Sequence, residues 1–67
     1  MPTFKDAVEF SEVEVLEERT SAIKVDIDGE LHFIPKSQID DDSEIYCKGD
    51  IGILKISGWI AKEKGLI

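Results

Sequence analysis

Sixty-seven residues, 42% hydrophobic and 34% charged, suit one small globular domain over 1–67, near the size at which a core only just stabilises itself. The formal net charge is −7, distributed as −4 over residues 1–22, −5 over 23–50 and +2 over 51–67, which makes nucleic acid an unfavourable partner. No run of about 18 apolar residues offers a membrane span, and so short a chain leaves little room for a catalytic cleft.

The N-terminal "MPTFKDAVEF" carries acids where an export signal needs a basic and then an apolar stretch, so a soluble cytoplasmic protein is expected. "AVEFSEVEVLEE" then alternates as a half-exposed strand, with a helix as the rival reading because Glu and Leu favour one, but its phase slips: Val8 and Phe10 share one parity, Val13 and Val15 the other. A bulge near Ser11 and Glu12 would bring both pairs to one face. "ERTS" reads as a turn.

"AIKVDIDGELHFIP" is a hairpin around Asp28-Gly29. A three-residue loop, Ile27 to Gly29, would pair Val25 with Leu31 and Ile23 with Phe33, giving one clean apolar face, and is the expected register. His32 would then lie opposite Lys24 on the exposed face. Pro35 ends the strand. "KSQI" makes a tight turn or one helical turn that returns Ile39 to the core, and "DDDSE" is a solvated loop. "EIYC" and "IGILKI" read as two more strands around "KGD", with Cys47 a small buried strand residue. The closing "SGWIAKEKG" is a short helix, with Ser57 as N-cap, Gly65 just beyond its end, and Trp59 and Ile60 facing the sheet.

These elements predict a mainly β fold with a short C-terminal helix: a small five-stranded SH3-like barrel or a strongly curved antiparallel sheet. A flat three-stranded sheet crossed by the helix is the other possibility.

"IPKSQI" (34–39), Ser43 and Glu44 in an acidic loop, and "LKISGWIAKEKGL" (54–66) resemble a group of small phage- and prophage-associated proteins, over roughly residues 20–67. The resemblance implies a phage or mobile-element setting, in which small acidic proteins often act as accessories or inhibitors. It implies no activity.

Little in the chain suggests catalysis, and no cofactor or metal is expected. His32 is the single histidine and Cys47 the single cysteine, so neither a metal cluster nor a nucleophile–base pair is spelled out. Asp26, Asp28 and Glu30 around Gly29 lack the EF-hand spacing. The acids at 40–42 and 44 read as solvent-facing. The candidate contact residues are Lys36, Ser37 and Gln38 at the "PKSQ" corner with Tyr46 and Trp59; Lys36 and Gln38 would form the polar rim of a groove floored by Trp59 or Tyr46. The corner reads first as a joint, its side chains satisfying turn backbone groups.

The expected function is a non-enzymatic binding module that docks on another protein, alone or as a homodimer. Two alternatives stand beside it. One is an acidic inhibitor presenting Glu9, Glu12, Glu14, Glu17, Glu18 and the 40–44 carboxylates in place of phosphates. The other is an accessory contacting single-stranded nucleic acid through Lys36, Lys55, Lys62 and Lys64.

Overall fold

The computed structural model describes residues 3–67; Met1 and Pro2, at the head of the stretch weighed above as an export signal, lie outside the described residues. Four strands, β1 (Val8–Glu18), β2 (Ala22–Ile27), β3 (Glu30–Pro35) and β4 (Ile51–Ile56), form one antiparallel sheet in the order β3-β2-β1-β4. A 3-10 turn (Lys36–Gln38) follows β3, and a short helix α1 (Gly58–Glu63) follows β4. No helix among the described residues is long and apolar enough to cross a membrane.

The mainly β expectation holds, but the sheet is open and has four strands, not a closed five-stranded barrel. The missing strand is "EIYC". Glu44 N–H still reaches the Ile53 carbonyl of β4 at 3.0 Å, but the pairing goes no further, because the Asp50 carboxylate takes both the Tyr46 and the Cys47 N–H, at 3.0 and 2.9 Å. Cys47 is accordingly exposed in a loop rather than buried in a strand. Ile45 still reaches the core from this irregular segment.

β1 makes the sheet possible by pairing on both sides. Its first half runs against β4 (Val8↔Ile56, Phe10↔Leu54, Val13↔Gly52) and its second half against β2 (Val15↔Val25, Glu18↔Ile23). The register shifts between Phe10 and Val13, where Glu12 takes a left-handed φ of 56°. That is the bulge expected from the parity slip. It keeps Val8 and Phe10 against the core that Val13 and Val15 enter. A second shift, between Val15 and Glu17, has no such signature in the sequence.

The hairpin corrects the expected register. Asp28 (φ 53°) and Gly29 (φ 85°) are both left-handed, forming a two-residue turn of type I′ character that matches the strand twist, and Gly29 N–H donates to Asp26 Oδ1 at 2.9 Å. The pairs are Ile27↔Glu30, Val25↔His32, Lys24↔Phe33 and Ile23↔Ile34. His32 therefore points to the inner face, its side chain 14% exposed, rather than standing on the exposed face opposite Lys24. Leu31 (55% exposed) and Phe33 (41%) are on the outside. The Phe33 ring is partly compensated there by the Arg19 guanidinium at 5.0 Å and the Lys24 ammonium at 5.9 Å.

The core is one cluster. Inner-face residues of the four strands meet Ile39 and Ile45 from the connection between β3 and β4, and Ile60 and Ala61 from α1. Six helical residues have no stability alone. Ser57 Oγ accepts the Ile60 N–H at 3.2 Å to cap the N-terminus. At the other end Gly65 (φ 71°) sends its N–H to the Lys62 carbonyl, and Leu66 sends its own to Ala61, a Schellman closure.

A non-glycine residue in the left-handed region costs about 1 kcal/mol or more. Glu12→Gly is therefore expected to raise unfolding stability by about 0.5–1 kcal/mol, and Glu12→Val to lower it, as read by urea denaturation.

Candidate functional site

The "PKSQ" corner is built as a joint. Pro35 is extended (φ −60°, ψ 133°), Lys36 N–H donates to the Ser21 carbonyl at 2.8 Å, and Ile39 N–H closes the 3-10 turn on the Lys36 carbonyl at 3.2 Å. Lys36 Nζ donates to Glu18 Oε2 at 3.0 Å across the end of the sheet. Ser37 is exposed and does not cap the turn. Gln38 reaches further than expected. Its carbonyl accepts the Ser57 N–H at 2.9 Å, and its Oε1 accepts the Ser57 hydroxyl at 2.7 Å. The same hydroxyl oxygen caps α1, so Gln38, Ser57 and the first helical turn form one polar chain around a buried serine.

The two aromatic candidates lie in different settings. Trp59 is 59% exposed and sits outside the core cluster, while its neighbour Ile60 is buried; the expectation that both face the sheet is corrected to Ile60 alone. With Ala61 also buried, a helix this short turns only one narrow stripe inward. Tyr46 packs against the core and its hydroxyl donates to the Asp41 carbonyl at 3.0 Å. Burial, then the carboxylates of Asp41, Asp40 and Asp42, raise its pKa above the ordinary phenol value. Ring contacts among the described residues are confined to Arg19 and Lys24 over Phe33, so Tyr46 and Trp59 do not form a common aromatic floor. The corner and the base of α1 come together; Tyr46 belongs to the acidic loop.

That loop is more ordered than a solvated run of acids. Asp40 is 1% exposed. Its Oδ2 accepts the Phe4 N–H at 2.8 Å and its Oδ1 the Asp42 N–H at 2.9 Å, while its own N–H donates to the Lys55 carbonyl at 2.8 Å. The two backbone bonds, Asp42 first and then Phe4, hold its carboxyl below the usual carboxylate range. Asp50 is lowered for the same kind of reason, by the Tyr46 and Cys47 amides. Ser43 is buried, and Glu44 Oε1 accepts the Ile53 N–H at 3.3 Å. The acids at 40, 44 and 50 thus serve as backbone acceptors, and no group of His, Cys, Asp and Glu among the described residues is arranged to hold a metal ion.

Sequence reasoning missed Leu31 and Phe33 as surface residues, because counting apolar positions inward selected the wrong hairpin register. The available signal was the Asp-Gly pair itself, which favours a two-residue loop. Set against protein-family models, curated proteins and solved structures, the chain matches none.

Two outcomes test this geometry. A carboxyl whose folded pKa is depressed contributes stability above its unfolded value, and that contribution drains away as pH falls through the folded one. Asp40→Asn is thus expected to lower the melting temperature at pH 7, with the gap to the parent chain closing below about pH 4. Ser57→Ala removes a cap and leaves Gln38 Oε1 without its donor, for an expected loss of about 1–2 kcal/mol. A double-mutant cycle with Gln38→Ala should show the two losses to be non-additive.

Proposed function

We propose that this chain is a non-enzymatic docking module that binds another protein, acting in the cytoplasm in the phage or prophage setting implied by "IPKSQI" and "WIAKEKGL". The observation that carries the reading is the amount of large apolar side chain left outside so small a core: Leu31, Phe33, Ile51, Trp59 and Ile67. Aromatic residues exposed on a rigid element are the usual anchors of protein interfaces. Trp59 is the best placed of them. It projects from a helix fixed at both ends, two residues beyond Ser57, whose hydroxyl is bonded to Gln38 of the corner; in this reading Lys36 and Gln38 supply the polar rim.

One observation favours the acidic-mimic version of the same reading. Glu9, Glu12 and Glu14 are exposed on β1 and have no ion pair among the described residues. Direct contact with nucleic acid is supported less, since Lys36 is bound to Glu18 and Lys55 faces Asp42 at 3.5 Å.

The test is affinity capture with the tagged chain and with Trp59→Glu, after circular dichroism has established that both fold. The expected result is a protein retained by the parent chain and lost with Trp59→Glu. Equal retention by both, or none by either, overturns the proposal. Loss of the captured protein between about 0.05 and 0.15 M salt would assign the contact to the β1 carboxylates.

A further inference from the structure

The two edges of the sheet are treated differently. Along β4 the chain's own connection takes up outward groups: Asp40 N–H donates to the Lys55 carbonyl at 2.8 Å, Glu44 N–H to Ile53 at 3.0 Å, and Ser57 N–H to the Gln38 carbonyl at 2.9 Å. Among the described residues β3 has no such cover. The bond from Lys36 N–H to the Ser21 carbonyl sets the parity there. Glu30, His32 and Ile34 turn their backbone groups towards β2, while Leu31, Phe33 and Pro35 turn theirs away. Among the described residues the outward N–H and C=O groups of Leu31 and Phe33 have no backbone partner, and their side chains stand exposed on the outer face. An edge of this kind is a template for another strand.

We infer that a second copy of this chain occupies that edge, with β3 pairing antiparallel to β3 of the copy about a two-fold axis through His32. The inference rests on the docking-module reading and gives one part of the surface a named occupant. The donors select the register. With Leu31 opposite Phe33 of the second copy, all four outward N–H groups find a carbonyl across the axis. Centring the pair on Phe33 would set Leu31 against Pro35, which has no N–H. Centring it on Leu31 would set Phe33 against Gly29, whose N–H is already given to Asp26.

Charge complementarity selects the same register. Each row across the joined outer face runs Asp26, Leu31, then Phe33 and Lys24 of the second copy, with an acid at one end and a base at the other. Asp28 in the turn comes level with Lys36 of the second copy, whose ammonium is then shared with Glu18 of its own chain. A foreign strand would have to carry this alternation of apolar and charged positions, whereas a two-fold axis supplies it twice.

Sedimentation equilibrium of the full chain, with amide exchange followed by NMR, tests the inference. The mass is expected to rise with concentration from 7.5 kDa towards twice that value, and the Leu31 and Phe33 amides should become protected in step. Leu31→Lys is expected to weaken the association by about tenfold or more. Asp28→Lys should weaken it too, and adding Lys36→Asp should restore it. A monomer mass up to about 1 mM, or a dimer that Leu31→Lys leaves unchanged, overturns the inference. Capture of another protein through Trp59 by a strictly monomeric chain would overturn this inference alone and leave the docking reading standing.

Discussion

Everything in this fold depends on β1 being hydrogen-bonded on both sides while still presenting one apolar face. Along this 11-residue strand the apolar residues change parity, Val8 and Phe10 on one and Val13 and Val15 on the other. The bulge at Ser11–Glu12 resolves this by inserting a residue, so that Phe10 and Val13 point the same way although three positions apart. The cost is a glutamate in left-handed geometry. The return is a continuous core floor from Val8 to Val15, which β2 and β4 extend on either side. Without the bulge either Val8 and Phe10 or Val13 and Val15 would face water.

Once β1 is set, the rest of the chain extends that floor or roofs it. The hairpin adds Ile23, Val25, Ile27 and Ile34; the long connection adds Ile39 and Ile45; the helix adds Ile60 and Ala61. Neither of the last two parts is regular enough to hold itself. Side chains accept the backbone donors that regular structure would have paired: Asp40 for Phe4 and Asp42, Asp50 for Tyr46 and Cys47, Ser57 for Ile60. A buried backbone amide without a partner costs more than the bond itself contributes. Several of the acids that dominate the composition are therefore structural before they are surface charge. Close packing at the N-terminal approach follows the same economy: a Cβ on Gly58 would come within 2.8 Å of the Asp6 carbonyl, so that glycine is what lets residues 4–7 pass over the helix start.

What could be read beforehand was whatever leaves a local mark. The parity slip announced the bulge, Ser57 and Gly65 announced the helix ends, and Pro35 announced the end of β3. What could not be read was settled by competition between distant groups. The apolar count favoured a register with Leu31 and Phe33 inside, but two left-handed turn residues and an Asp26 bond to Gly29 outweigh it. "EIYC" has strand composition, yet a carboxylate four residues downstream of Tyr46 takes its donors. At the corner, Gln38 could be suspected of a polar role, while its partner Ser57, 19 residues away, could not be inferred from spacing. Trp59 looked like core because large residues are scarce, but the short helix has room inward only for Ile60 and Ala61.

The distribution of charge gives this asymmetry a physical sense. Carboxylates crowd the turns, the outer face of β1 and the loop that covers β4, and the chain repels its own copies through those surfaces. β3 is the exception. Its own charged residue, Glu30, stands at the end beside the turn, and the bases nearest its exposed ring, Arg19 and Lys24, lie over Phe33 rather than along the edge. Edge strands in soluble proteins are commonly blunted by a charge in mid-strand, a proline or a covering loop. β4 has the loop; β3 has a proline only at its last residue, with Leu31, His32 and Phe33 between its ends. The same hairpin register that turns two apolar side chains away from the core leaves them on the edge where, among the described residues, no backbone of the chain is paired.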